Sequence, residues 1–118
     1  MRIAATCIAL ALPCVVSATT YCSFEQECFE ADACGDAAFL FEYTDNANGA
    51  RLQQGVTAST EFGDLGGYVM RRDETSVSYA FEGPGAMYFL TVEDAVARLS
   101  VHMEGPIVVT YPGRCEGL

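Results

Sequence analysis

The chain has no lysine, no tryptophan and a single histidine, His102. Its basic residues are therefore six arginines, set against sixteen carboxylates, for a formal charge of −10. Such a surface repels phosphate backbones and anionic lipid heads, so nucleic acid and membrane surfaces are poor partners. No C-x-x-C pair is present, which leaves a thioredoxin-like redox role without its thiols and a zinc site without closely spaced ligands. No G-x-S-x-G exists to build a serine nucleophile, and "GDLGG" lacks the Lys-Ser or Lys-Thr that would make it a phosphate loop. Long apolar runs are missing too, except at the very start.

That start, "MRIAATCIALALPCVVSATT", has one basic residue, an uncharged apolar run from Ile3 to Val16, and the small-residue pattern Val16-Ser17-Ala18. It reads as a secretory signal over residues 1–18, too short to span a bilayer as a helix, and it leaves a single domain over 19–118 with no membrane anchor. Lipidation at Cys14 fits poorly because Pro13 stands where a small residue is wanted. The expected destination is periplasmic or secreted. Loss of Arg2 would leave five arginines against sixteen carboxylates, a charge of −11.

Cys22, Cys28, Cys34 and Cys115 remain after the signal, an even number in a small exported domain, which reads as two disulfides. Three connectivities are open, and geometry separates them weakly. If residues 20–29 form one strand, Cys22 and Cys28 share a face but lie about 20 Å apart, beyond the reach of an S–S bond. Cys28 and Cys34 flank "FEADA", a plausible hairpin loop. The expected pairs are Cys28 with Cys34 and Cys22 with Cys115, and the long link is the more stabilising.

A period of two dominates the remainder. In "SVSYAFE", Val77, Tyr79 and Phe81 share one face, and in "ARLSVHME" Ala97, Leu99, Val101 and Met103 do so, with His102 on the wet side. "AFLFEY" repeats the pattern through Phe39, Phe41 and Tyr43, and "AMYFLTV" is apolar on both faces. Turn signals fall at "DNANGA" with its Asn48-Gly49 pair, "FGDLGG", "RRDET", "EGPGA", "VEDA" and "EGP". Strands are expected near 20–29, 36–44, 50–57, 67–72, 75–82, 86–92, 95–104 and 106–112. "TVEDAVARL" could open a short helix, but alternation continuing through Met103 favours a strand.

The expected fold is all-β, a small antiparallel meander of about eight strands closed into a barrel, with a two-sheet sandwich as the alternative. Closure would bring Cys115 beside Cys22. Phe39, Phe41, Tyr79, Phe81 and Phe89 are expected to fill the interior, leaving little room for a ligand.

No catalytic constellation is visible, so the chain is expected not to be an enzyme. His102 lies beside Ser100 and Arg98 without an orienting carboxylate, and His102 and Met103 point to opposite faces and cannot share one copper ion. The acidic pairs Asp73-Glu74 and Glu93-Asp94 fall in turns, where carboxylates are solvated. No metal and no cofactor is called for. Tyr21, Phe24, Tyr68, Tyr88 and Tyr111 are the candidate binding surface, because tyrosine joins a large apolar body to a hydroxyl.

The early "YC", the alternating strands and the closing "YPGRCE" make the chain resemble small exported proteins of Gram-negative bacteria. More distantly it is similar to the MliC family, periplasmic inhibitors of C-type lysozyme, a resemblance that implies a small β-barrel with a disulfide tying the chain ends. In that family a Ser-Gly loop and a lysine-bearing segment engage lysozyme. Here the nearest match, Gly66-Gly67-Tyr68, lacks the serine, and no lysine stands for the second segment. The expected role is non-enzymatic protein binding or structure by a monomer. A cationic protein is the candidate partner, with inhibition of an envelope-active enzyme such as lysozyme, or carriage of a small apolar ligand, as alternatives.

Overall fold

A computed structural model describes residues 19–46 and 55–117. The signal segment 1–18 and the Asn48-Gly49 turn lie outside the described residues. Eight antiparallel strands run β1 (Thr19–Phe29), β2 (Cys34–Asp45), β3 (Val56–Thr60), β4 (Gly63–Arg72), β5 (Ser76–Gly83), β6 (Ala86–Glu93), β7 (Val96–Met103) and β8 (Ile107–Glu116). Each pairs with its neighbour in sequence, and β8 pairs with β1, closing the barrel. A barrel, not a sandwich, is the outcome, and "TVEDAVARL" is a hairpin whose turn residue Asp94 has φ 57°.

Closure places Cys22 directly opposite Cys115, and the hairpin between β1 and β2 places Cys28 opposite Cys34. Both bonds form as the spacing predicts. Inward residues stack in rows around the axis. One row runs Val56, Gly67, Phe81, Tyr88, Val101 and Val109, each paired with the next. Phe24, Phe41, Phe81, Leu90 and Leu99 are fully buried.

Several sequence expectations need correcting. "FGDLGG" is not a turn, because the chain reverses at Glu61-Phe62 and Gly63 already begins β4. Gly66-Gly67-Tyr68 is accordingly strand and not loop. Gly67 serves packing: a β-carbon there would overlap the Phe81 ring and the Ala80 carbonyl. Phe89 does not enter the interior. Its neighbours Tyr88 and Leu90 point inward, which turns Phe89 to the outer wall against His102, with ring centroids 5.1 Å apart. Finally, Cys22 and Cys28 do not share a face, for a reason that bears on the site.

That reason is a bulge in β1. Phe24 pairs with Gly113 and Cys28 with Thr110, so β1 advances four residues while β8 advances three. The extra residue reverses the alternation. Before it, Thr20, Cys22 and Phe24 point inward. After it, Glu27 and Phe29 do, and Cys28 turns out with Thr110. Tyr111 and Pro112 have no β1 partner across the bulge, so the donor that Pro112 lacks is missing where the ladder is already interrupted. β8 therefore continues past Pro112 to Glu116, beyond the expected end at residue 112.

Candidate binding cup

The two ends of the barrel differ. At the end holding the chain's first strand residues, a polar network closes the interior. Asp45 accepts hydrogen bonds from Tyr79 Oη (3.0 Å) and Arg72 Nη2 (2.9 Å), and the Tyr43 and Tyr79 rings lie 4.8 Å apart. Burial first, and then for Tyr79 its neighbours Tyr43 and Asp45, hold both phenols above the ordinary tyrosine pKa. The Asp45 carboxylate and its hydrogen bond favour the charged form of Arg72.

The opposite end is open. A cavity of about 450 Å³ is lined by Phe39, Phe62, Leu65, Tyr88, Met103 and Tyr111, among others, with Glu27 at its rim. The interior is thus filled through its middle layers but hollow under the turns, where a wholly packed barrel is expected from sequence. Three rings form one wall: Phe39 stacks on Tyr111 with centroids 5.1 Å apart and on Phe62 at 5.9 Å. Phe24 sits behind them, 6.1 Å from Tyr111. Short strands explain the hollow, since Leu65 and Tyr88 are the last large inward residues below Gly83 and the Pro84-Gly85 turn.

Glu27 reaches the cup because of the bulge. Strict alternation from Cys22 would leave it outside. Instead its Oε2 accepts a hydrogen bond from Tyr111 Oη at 2.7 Å. Burial, followed by the Glu27 carboxylate, raises the Tyr111 pKa, with Tyr88 and Glu61 adding to it. The turns at this end carry Glu30, Asp32, Glu61 and Glu104 and no basic residue. Arg71, Arg72, Arg98 and Arg114 all lie toward the other end of their strands. The ion pairs formed among the described residues, Arg71 with Asp73 and Arg72 with Asp45, are there as well.

Of the five residues singled out from sequence, the fold brings Tyr88 and Tyr111 together in the cup and buries Phe24 behind them. Tyr21 and Tyr68 point outward from β1 and β4, 56% and 38% exposed. Sequence reasoning missed Glu27, Phe39 as a cup residue, and Phe62. Phe62 alone carried a signal, as an aromatic residue at a turn. His102 is on the outer wall, its Nε2 3.2 Å from Ser100 Oγ, while Met103 lines the cup. Among the described residues no group of three His, Cys, Asp or Glu is placed to hold a metal ion.

Comparison with protein-family models, curated proteins and solved structures gives no match to this chain.

Proposed function

We propose that this chain is an exported, non-enzymatic binding module whose working site is the cup at the open end of the barrel. The observation that carries the reading is the cavity itself: about 450 Å³, within the range of small-ligand sites, apolar in most of its lining and reached from solvent through the turns. A barrel of this size has every reason to fill its interior, because an apolar hollow forfeits contacts. Leaving one end hollow, with a ring wall and one hydrogen-bonded carboxylate, favours reception of an apolar group over a purely structural part. The two disulfides fit an oxidising compartment outside the cytosol.

The test is fluorescence titration of the oxidised protein with a neutral apolar probe such as N-phenyl-1-naphthylamine. Saturable binding at one site is expected, and Ala86→Phe, which places a ring in the cup, should abolish it while leaving the circular dichroism spectrum unchanged. Absence of saturable binding by the folded protein, or equal binding by the filled variant, would overturn the reading.

A further inference from the structure

We infer that the cup's ligand is an organic cation: a protonated or quaternary amine on an apolar body of about ring size. The inference rests on the cup being a binding site and adds to it the sign of the charge that the site selects. Three independent features converge. First, the β1 bulge turns Glu27, the one charged residue on that strand's inner face, to the cup's rim, where Tyr111 Oη occupies Oε2 and leaves its other oxygen uncommitted. Glu27 has no ion-pair partner among the described residues. Second, the wall beside that carboxylate is made of the Phe39, Phe62 and Tyr111 rings. Aromatic rings attract cations through their quadrupole, and a nearby carboxylate adds a full charge to that attraction. Third, the turns ringing the mouth contribute only carboxylates, and every described arginine is toward the far end. An anionic ligand would meet repulsion on approach and an unpaired carboxylate on arrival, and a neutral one would use the rings and leave the charge unanswered. A cation with an apolar body answers both.

The test uses the oxidised full chain and three probes on one skeleton: 4-phenylbutylamine, 4-phenylbutanol and 4-phenylbutyrate, each displacing the neutral fluorescent probe. The amine should bind most tightly, on the order of tenfold better than the alcohol at low salt, with the carboxylate weakest. The ratio of amine to alcohol should fall when salt is raised to about 0.5 M, because the rim is solvated and its charge is screened. Glu27→Gln should bring the ratio toward one, whereas Glu93→Gln, at the end of β6 remote from the cup, should leave it unchanged. If amine and alcohol bind alike, or Glu27→Gln leaves the ratio intact, the charge selectivity is overturned while the cup reading stands. If the alcohol and the neutral probe also fail to bind, both fall.

Discussion

Opening the Cys22–Cys115 link tests what holds the barrel shut. The bond closes a loop with a sequence separation of 93, against 6 for Cys28–Cys34. On chain-entropy grounds the long link is worth about 4.7 kcal/mol and the short one about 2.4 kcal/mol. Cys22 and Cys115 are also 1% and 2% exposed, so replacing both with Ala removes packed sulfur and costs about 1 kcal/mol more. Cys34 is exposed and Cys28 half-buried, and their loss carries little packing cost. Cys22→Ala with Cys115→Ala should therefore lower stability by about 5 to 6 kcal/mol, and Cys28→Ala with Cys34→Ala by about 2 to 3 kcal/mol. With a total stability of roughly 5–15 kcal/mol for a domain, the first variant stands near the edge of folding and the second does not. The assay is urea unfolding followed by far-UV circular dichroism, since the chain has no tryptophan to report. A short-link variant that loses as much as the long-link variant would refute the reasoning.

Other expectations follow from packing and protonation. Gly113→Ala and Gly67→Ala should each cost about 2 to 3 kcal/mol, because the added methyl would meet a backbone oxygen and the Phe24 or Phe81 ring. Gly66→Ala, which faces open space, should stay within about 0.5 kcal/mol, and chemical denaturation separates the three. Burial holds the Tyr43, Tyr79 and Tyr111 phenols above the ordinary tyrosine pKa of about 10. Their contribution to stability is then complete below about pH 10 and lost as pH rises above it, where the unfolded chain releases phenolic protons that the folded chain keeps. Phenolate absorbance should show a deficit in the native protein that urea abolishes; superimposable titrations would refute this. Phe81→Ala should cost about 3 to 5 kcal/mol, and Phe89→Ala, on the outer wall, clearly less, as thermal unfolding can show.

The sequence made much of the barrel legible. Alternation in β5 and β7 marks their inner faces, the hairpin loop "FEADA" pairs Cys28 with Cys34, and end-to-end closure pairs Cys22 with Cys115. Legibility stopped where a residue's direction depends on its neighbours across the sheet. β6 is apolar on both faces, so nothing in it tells Tyr88 from Phe89; Phe81 and Val101 on the flanking strands decide. The glycines of "GDLGG" carry turn chemistry locally, and only the ring opposite Gly67 shows why a strand needs one. The β1 bulge is a mismatch of count between β1 and β8, residues far apart in sequence, and "FEQECF" alone does not announce it. Strict alternation from Cys22 would turn Glu27 outward, so the cup's most telling group carries no signal in the sequence.

The bulge thus couples two features that look unrelated. Ironing it out at unchanged chain length would put the rest of β1 out of phase: the acid would swing to the outside, and Cys28 would swing inward, away from Cys34. Deleting Glu25 or Gln26 would instead match the three-residue advance of β8 and leave both side chains facing as they do now. Relatives of this chain with one residue fewer between Phe24 and Cys28 should therefore keep the cup acid and the short disulfide and lose only the bulge.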